Sequence, residues 1–565
     1  MASPTPKGAR RKKKSAAATK SKATPSSRKT SAKAATVAQQ KAKSKAGSNG
    51  KATAQSMALK QREISVSEFF SRNRHLLGFD NPRRALLTGI KEAVDNSLDA
   101  CEEAGILPQI TVEIESVAED RYIMRVRDNG PGIVKTQIPN IFGKLLYGSK
   151  FHRLRMSRGQ QGIGISAASM YGQLTTGKPT RIISRISAKR PAHQYEIVIN
   201  TTQNKPEIIR DLEIDDDEHG RGTMVEIEME ARYLKGRQSV DEYLSQTVLT
   251  NPHMELVYRS PDGNETVYER SSKEMPQETI EVKPHPHGVE LGALMKMMQD
   301  TPSRTVQAFL TSEFCRVSTR VAKEFCDTAQ IRSTARPKSI AREESDRLYK
   351  AINETKLMKP PTNCIVPIGE ELLLSSLQQN VEADFYTSTT RPPAVYRGNP
   401  FQVEVAMAHG GDIDPEGTMA LMRFANRVPL LYQQAACAIT KSVIDVDWRK
   451  YRMSQSGNAL PTGPLVVLVH MASVWVPFTS ESKEAVAHYP EIIKEIRLAL
   501  QECGRRVGEH LGRQRRAEEA ERKRDYIKSY IGHIADAIQE ITGDSERKRN
   551  TVEKSLRTIL ERSRS

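Results

Sequence analysis

A strand that ends on an inward-facing carboxylate constrains this chain more than any other feature. In the segment RYIMRVRDNGPGI, apolar side chains alternate onto one face from Tyr122 to Val126, and Asp128 continues that face. A carboxylate in register with core side chains is costly unless polar partners surround it. Gly130 and Gly132 follow, and both allow the backbone to approach a ligand closely. The sequence therefore predicts a buried polar site here, with the ordinary Asx turn of Asp-Asn-Gly as the alternative.

The segment GIKEAVDNSLDACEEAG, Gly89–Gly105, belongs to a helix predicted over residues 82–104. Glu92, Asn96 and Asp99 share one face of that helix. Alone, such a face is typical of a solvated surface, and the roles of Asp95 and Asp99 stay open between a contact near the site and plain solvation. The opposite face is apolar at helical spacing and predicts a core contact: Leu86, Leu87, Ile90, Val94, Leu98 and Cys101.

Two further motifs extend the predicted site. SRGQQGIGISAASMYG carries Gly159, Gly162 and Gly164 ahead of a helical pattern, and free N–H groups before a helix bind phosphate well. A glycine loop by itself is weak evidence. In HGRGTMVEIEME, Thr223 is in register with the apolar face of its strand, as Asp128 is. Two inward polar groups on two strands can bracket one flat, hydrogen-bonding ligand.

Segment patterns predict the domain organisation. Strands and helices over residues 64–282 lack the regular alternation of a doubly wound sheet, so we expect an α/β (α+β) sandwich. Residues 283–358 predict a small helical domain, residues 359–540 a second α/β domain with long helices, and residues 541–565 a helical extension. Isoleucines near the end recur at spacings of four and three, which predicts a seam for a partner helix: Ile527, Ile531, Ile534, Ile538 and Ile541.

The net charge of +18 is concentrated at the N-terminus. Residues 1–60 hold sixteen Lys and Arg and no acid, and subtracting these leaves +2 for the remainder. Residues 1–63 are poor in large apolar side chains, so we expect a disordered basic tail that binds polyanions with little sequence preference. A solubilising leader or a targeting signal is the alternative. The six cysteines form no metal-binding pattern, and no apolar run is long enough to span a membrane.

In their order along the chain, the four motifs resemble the GHKL ATPase superfamily, which includes gyrase, histidine kinases and ninety-kilodalton heat-shock chaperones. The resemblance implies a Bergerat-type ATPase sandwich with ATP and Mg²⁺ as cofactors. Glu92 is then the base that activates water, and Asn96 holds Mg²⁺. Asp128 accepts from the adenine amino group beside Gly130 and Gly132, with support from Thr223. The lid over the phosphates comprises Ser149, Lys150, Gly159, Gln160, Gln161, Gly162, Ile163, Gly164, Ile165 and Ser166.

Longer segments are similar to the B subunits of DNA topoisomerase VI, a type IIB enzyme. They include FGKLLYGSKFHRLRMSRGQQGIGISAA, RPPAVYRGNPFQVEVA, RFANRVPLLY and VHMASVWVPFTSESKEAVA, and the resemblance spans roughly residues 64–540. It implies that residues 283–358 form a helix–two-turns–helix domain and residues 359–540 a transducer domain.

The family resemblance also implies a function. We expect the ATPase subunit of a type II topoisomerase, which relaxes supercoiled DNA by passing one duplex through a break made by a separate A subunit. An A2B2 heterotetramer, ATP-driven homodimerisation and double-stranded DNA as substrate are expected, with no membrane partner. The expected location is the cytoplasm, on the nucleoid or chromosome, or the nucleus in a eukaryote. The alternative is an ATP-dependent clamp of chaperone or mismatch-repair type without strand passage.

One segment departs from the family pattern. The family carries Trp-Lys-x-Tyr in the transducer, with a lysine that reaches the γ-phosphate, whereas this chain has Trp448-Arg449-Lys450-Tyr451. Register favours Arg449 as the catalytic cation, and residue type favours Lys450. Arg and Lys are not interchangeable at such a position, so both remain candidates, with a solvated surface charge as the third interpretation.

Overall fold

The computed structural model describes residues 54–59, 61, 63–149, 153–159, 162–215, 220–480 and 482–562. The chain divides into one unit up to Glu63 and a second from Ile64 onward. In the first unit, α1 spans Ala54–Ala58. Most of the basic tail lies outside the described residues, so its disorder stays a prediction.

Eight strands of the second unit form one sheet in the order β5-β4-β3-β6-β2-β1-β7-β8. Neighbouring strands are antiparallel except β1 and β7, which are parallel. The bounds are β1 Gln109–Ala118, β2 Arg121–Asp128, β3 Thr180–Arg185, β4 Ala192–Asn200, β5 Lys205–Ile214, β6 Gly222–Glu230, β7 Glu255–Arg259 and β8 Glu265–Tyr268. The pattern did not predict β5, because this edge strand is largely exposed on both faces and lacks apolar alternation.

Helices cover one face of this sheet. They are α2 Val66–Arg72, α3 Pro82–Glu103, α4 Ile138–Gly143, α5 Gly164–Thr176 and α6 Val240–Thr250. Helix α3 begins where Asn81 accepts a hydrogen bond from the Arg84 N–H, with Pro82 in the first turn. Its apolar face packs into the same core as Met124 and Val126 of β2. This packing turns the face with Glu92 and Asn96 away from the core.

Four helices form a separate small core. They are α7 Leu291–Asp300, α8 Val306–Glu313, α9 Thr319–Thr328 and α10 Arg342–Glu354. Phe309, Phe325 and Leu348 lie fully buried at its centre. This core falls within residues 283–358, the range of the predicted helical domain.

A second, six-stranded sheet has the order β10-β11-β14-β12-β13, with β9 also paired to β11. Its strands are β9 Phe385–Thr390, β10 Ala394–Tyr396, β11 Asn399–His409, β12 Ala420–Ala425, β13 Val428–Pro429 and β14 Leu465–Ser473. Every residue of β14 is buried, because helices cover both faces of the sheet. The helices of this region are α11 Glu370–Asn380, α12 Ala438–Ile444, α13 Pro490–Thr542 and α14 Glu546–Arg562.

The predicted isoleucine seam lies at the end of the 53-residue helix α13. Helix α14 folds back onto this helix, and Ile531 is buried. Ile527, Ile534 and Ile541 remain exposed. The chain's own last helix therefore contacts α13 near the seam and leaves much of the seam open.

The predicted α/β (α+β) class is confirmed: the chain has two β-sheets that pack against helices, and a small helical domain. The boundaries proposed at residues 282, 358 and 540 stay predictions. Among the helices of the described residues, none has the length and apolar character needed to cross a membrane.

Candidate functional site

A cavity of about 690 Å³ opens between α3, the end of β2 and the glycine-rich segment before α5. The second α/β region closes it with Leu430–Tyr432 and Ser482–Glu484. The predicted site residues that line it are Glu92, Asn96, Asp128, Gly132, Ser149, Gly159, Gly162, Ile163, Gly164, Ile165 and Thr223. Motifs from separate parts of the first sheet domain thus meet at one cavity.

Asp128 is the polar centre of one wall, with 8% of its surface exposed. Its Oδ1 accepts from the N–H groups of Gly130 at 2.9 Å and Thr223 at 3.1 Å, and its Oδ2 accepts from the Ser97 hydroxyl at 3.0 Å. Burial raises the pKa of Asp128, and these three hydrogen bonds oppose that rise. The carboxylate is therefore held in one orientation as an acceptor beside the cavity.

Thr223 supports this wall mainly through its backbone. Its hydroxyl oxygen lies 3.1 Å from the Ser184 hydroxyl, which accepts from the Ile133 N–H at 2.8 Å. Gly222 is required next to Thr223, because a Cβ there would lie 1.9 Å from the Asp128 carbonyl oxygen. Three strand ends and the loop after β2 are thereby joined around the carboxylate.

The glycines after β2 differ in role. The Gly130 N–H donates to Asp128, and Gly130 is not among the cavity-lining residues of the described chain. Gly132 lines the cavity with φ +72°. A Cβ at Gly132 would lie 2.4 Å from the Arg185 carbonyl oxygen, so only glycine fits this close approach.

Glu92 and Asn96 lie on the cavity side of α3. Glu92 is half-buried, and a Cβ at Gly164 would lie 1.8 Å from its Oε2. Asn96 is exposed, and its Oδ1 lies 3.7 Å from where a Cβ of Gly159 would be. The glycine-rich segment therefore sits directly over both side chains, and its glycines leave room for them.

Only some of the predicted lid residues line the cavity. Gly162–Ile165 line the cavity where α5 begins, so N–H groups of a helix N-terminus border it. The Ser166 hydroxyl donates instead to the Ile163 carbonyl at 2.9 Å, and Ser166 is absent from the described lining. Ser149 is exposed at the edge of the cavity. Lys150, Gln160 and Gln161 lie outside the described residues.

Asp99 is not solvated, although its helix face had left this open. It is buried, and the 4%-exposed Arg158 side chain donates to its Oδ1 at 2.9 Å. Arg158 also donates to Glu102 at 2.7–2.8 Å and to Asn251 of the α6 end at 2.5 Å. Asp99 therefore helps to fix the position of Arg158, the residue immediately before Gly159.

Asp95 is also buried rather than solvated. It accepts a hydrogen bond from the Tyr243 hydroxyl at 3.1 Å. Burial raises the pKa of Asp95 to about 6, with Lys91 the largest opposing influence. Asp95 therefore lies behind the cavity wall, hydrogen-bonded to Tyr243, which lines the cavity.

The structure does not bring Arg449 or Lys450 to this cavity. Their side chains are 73% and 74% exposed and lie 3.2 and 3.8 Å from Asp447. The flanking aromatic residues explain this placement: Trp448 is buried, and Tyr451 packs so closely on α13 that a Cβ at Gly504 would lie 2.8 Å from its ring. The segment is anchored to the long helix with its two cations outward.

Among the described residues of the second α/β region, the cation that does line the cavity is Lys483. Its Nζ donates to the Arg158 carbonyl at 3.3 Å, and its backbone is left-handed with φ +53°. Sequence reasoning missed Lys483, although it lies inside the quoted segment VHMASVWVPFTSESKEAVA. Ser97 was also missed, because a serine on the core side of a helix gives no signal until its partner is known.

Comparisons with known proteins agree with this architecture. Residues 81–232 match the family model for histidine kinase-, DNA gyrase B- and HSP90-like ATPases. Residues 360–523 match the model for the transducer of the topoisomerase VI B subunits. Among solved structures, the 43K ATPase domain of Thermus thermophilus gyrase B covers 81% of this chain and 97% of its own, at 13% identity and a TM-score of 0.37. The two structures are only distantly alike.

Curated relatives are much more similar. The B subunit of type 2 DNA topoisomerase 6 from Methanococcoides burtonii is 51% identical over 462 residues, which are 82% of this chain and 74% of that protein. The protein of the same name from Archaeoglobus fulgidus is 47% identical over 486 residues, which are 86% and 80% of the two chains. The chain therefore belongs to the topoisomerase VI B-subunit family, the ATPase subunits of a type II DNA topoisomerase.

Proposed function

We propose that this chain binds ATP with Mg²⁺ in the cavity, hydrolyses it, and uses the cycle to drive passage of one DNA duplex through another. The observation that carries the proposal is the pairing of a fixed buried acceptor, Asp128, with a carboxylate, Glu92, that lies directly under a helix N-terminus. The end of the cavity at Asp128 thus suits the adenine nucleobase, and the end at Glu92 suits the phosphates.

The fixed carboxylate fits the adenine amino group. Asp128 is held by three donors, and adenine presents an N–H donor that an acceptor in this position would bind. Thr223 and Gly132 line the same cavity as Asp128. An acceptor that is already oriented binds without a further cost of ordering its side chain.

The glycine-rich segment fits the phosphates. Gly159, Gly162 and Gly164 border the cavity, and the start of α5 offers backbone N–H groups and a positive dipole end. Lys483 adds a cation from the second α/β region. We assign to Lys483 the contact with the terminal phosphate, because it is the second-region lysine that lines the described cavity.

Asn96 is the residue that would hold Mg²⁺. The described residues contain no group of three or more His, Cys, Asp or Glu that could bind a metal. This fits an ion held mostly by phosphates and water with one protein oxygen. Bound there, Mg²⁺ would neutralise phosphate charge.

Glu92 is assigned the role of general base. Its carboxylate faces the lid at Gly164, next to the expected phosphate end of the cavity. A carboxylate in this position orients a water molecule and accepts its proton as the water attacks phosphorus. As the new bond between the water oxygen and the γ-phosphorus forms, the bond from that phosphorus to the bridging oxygen breaks and ADP leaves. The proton moves from the water oxygen to a Glu92 carboxylate oxygen.

Partners follow from the family. We propose an A2B2 assembly with a separate A subunit that cleaves DNA, ATP-driven dimerisation of this chain, and double-stranded DNA as substrate. The basic residues of 1–60 would add non-specific DNA affinity. The proposed location is on the nucleoid or chromosome.

Arg449 and Lys450 keep a predicted part in catalysis only if the segment that carries them moves, and their exposure suits a contact outside the cavity.

The test is relaxation of supercoiled plasmid by the full chain with its A subunit, measured with ATP, with a non-hydrolysable analogue and without nucleotide. Of these three conditions, we expect multiple-turnover relaxation only in the one with ATP. An ATPase that dimerises but leaves supercoils unchanged with an active A subunit would favour the clamp alternative. Absence of ATP hydrolysis in the same preparation would contradict the proposal itself.

A further inference from the structure

Arg84 links the nucleotide-binding helix to the loop that carries Lys483. It lies in the first turn of α3, two turns before Glu92. One terminal nitrogen pairs with Asp80 of the same domain at 2.7 Å. The other donates to Glu484 and lies 3.4 Å from the Ser482 hydroxyl. The Arg84–Glu484 pair therefore joins residues 400 positions apart, one in the first sheet domain and one in the second α/β region.

This pair is sheltered from solvent. The Arg84 and Glu484 side chains are 15% and 8% exposed. The Arg84 guanidinium also lies 5.2 Å from the ring centroid of Tyr432, which lines the cavity. Salt screens such a pair less than an exposed one, and removing one partner leaves the other charge in a poorly hydrated position.

The loop that receives Arg84 is strained. Lys483 has φ +53°, a backbone conformation that costs energy for a residue with a Cβ. A turn closes at this point, where the Lys483 N–H donates to the Ser480 carbonyl at 3.1 Å. Such a conformation persists only when its surroundings hold it. Ser482 and Glu484, on either side of Lys483, both contact Arg84 of the first sheet domain. The Lys483 amine itself contacts the Arg158 carbonyl.

We propose that the Arg84–Glu484 ion pair, packed against Tyr432, is a latch that positions Lys483 over the phosphate end of the cavity. Arg84 and Glu484 are positioning residues, which act through Lys483. This inference rests on the proposed function, because it assumes that Lys483 contacts the nucleotide.

The bonding of the pair suits a contact that is made and broken. Among the described residues, Glu484 Oε2 and Arg84 Nε are buried and have no hydrogen-bond partner. The two side chains therefore do not form the stronger two-bond fork that Arg and a carboxylate can make. The latch holds the second α/β region by one hydrogen bond to the Glu484 carboxylate and a longer one to the Ser482 hydroxyl, both from one Arg84 nitrogen. A small rotation of that region would break them.

The experiment compares Glu484→Gln with Asp80→Asn in the full chain, by ATP turnover and equilibrium ATP binding. Glu484→Gln removes the charge that faces Arg84 from the second region, whereas Asp80→Asn removes the charge that faces it within its own domain. We expect Glu484→Gln to lower turnover about tenfold, with ATP affinity changed less than about twofold. Asp80→Asn should stay within about twofold of the unaltered chain in both measurements.

Combination with Lys483→Met separates positioning from plain stability. If the latch acts through Lys483, Glu484→Gln should cost nothing further in the Lys483→Met background, as measured by a double-mutant cycle. An equal loss in both backgrounds would overturn the proposal, as would full turnover by Glu484→Gln. If Glu484→Gln does not fold, Arg84→Lys carries the same test, because it keeps the charge and loses the reach to Glu484.

Failure of the proposed function gives a different pattern. If the unaltered chain hydrolyses ATP and Lys483→Met has no effect, the assignment of Lys483 is wrong and the latch with it. If Lys483→Met lowers turnover and both Glu484→Gln and Arg84→Lys do not, the latch alone is wrong. If the unaltered chain does not hydrolyse ATP at all, the proposed function fails first.

Discussion

The two ends of the cavity are built differently. At the end proposed to bind the adenine nucleobase, Asp128 is held by two backbone N–H groups and one hydroxyl, all from the first sheet domain. At the proposed phosphate end, Lys483 is brought in from the second α/β region by side-chain contacts and a strained turn. The first arrangement cannot change without unfolding strand ends, whereas the second can change by a rotation of one region against the other.

This difference separates recognition from sensing. A rigid acceptor recognises the same base in every state of the cycle. A lysine that crosses between two regions can report whether a terminal phosphate is present, because its contacts depend on how the regions are oriented. Ser157 and Arg158, which precede the glycine-rich lid, are tied to both regions as well. Arg158 binds α3, and the Asn426 side chain of the second region donates to the Ser157 carbonyl at 2.9 Å.

The largest expected effect is at Glu92, beside the proposed phosphate end. Glu92→Gln removes the proposed base and keeps the shape under Gly164. We expect turnover to fall about 10²- to 10⁴-fold, with ATP binding retained. Glu103→Gln, on the same helix and 43% exposed, is the matched control and should change neither. Hydrolysis at the normal rate by Glu92→Gln would remove Glu92 from the mechanism.

Asp128→Asn tests the rigid end. The amide oxygen can still accept from Gly130 and Thr223, but the amide nitrogen replaces an acceptor with a donor near the cavity. We expect ATP affinity to fall by about 2–3 kcal/mol, roughly 30- to 150-fold. Binding measured by calorimetry should weaken less for a nucleotide with a carbonyl in place of the adenine amino group. Equal losses for both nucleotides would mean that Asp128 does not read that group.

Lys483→Met and Lys450→Met compare two lysines of the second region. Lys483 lines the cavity, whereas Lys450 is 74% exposed beside Asp447. We expect Lys483→Met to lower ATP turnover about tenfold, which corresponds to about 1.4 kcal/mol, and Lys450→Met to leave it within about twofold. Steady-state hydrolysis by both full-length variants decides this. The reverse order would favour Lys450, one of the two cations that the sequence left as candidates.

Asp95→Asn tests a charge that lies behind the wall and takes no part in our proposal. Burial raises the pKa of Asp95 from 3.8 to about 6, so the folded protein binds this proton more tightly than the unfolded chain. Stability should therefore fall as pH rises from about 4 to 6. At pH 7 we expect Asp95→Asn to be more stable by about 1–3 kcal/mol, with a flatter pH dependence in urea unfolding. Unchanged stability at pH 7 would contradict this assignment, and ATP affinity should not change in any case.

Local pattern predicted much of the site because each motif is short. The period of two along β2 and β6 is enough to align Asp128 and Thr223 with core side chains, and the period of 3.6 along α3 is enough to group Glu92 with Asn96. The same pattern could not decide Asp95 and Asp99. Their burial depends on Tyr243 and Arg158, which come from elements 148 and 59 residues further along the chain.

The sequence by itself determined the fold class, the family and the identities of the side chains that face inward, because these depend on periodicity and on motifs within a few turns or one strand. Only the tertiary structure decided which cation reaches the cavity. Trp448 and Tyr451 anchor their segment to α13 with Arg449 and Lys450 facing outward, while the Arg84–Glu484 pair holds the loop with Lys483 on the cavity. That choice depends on contacts between residues hundreds of positions apart, where no local period carries information.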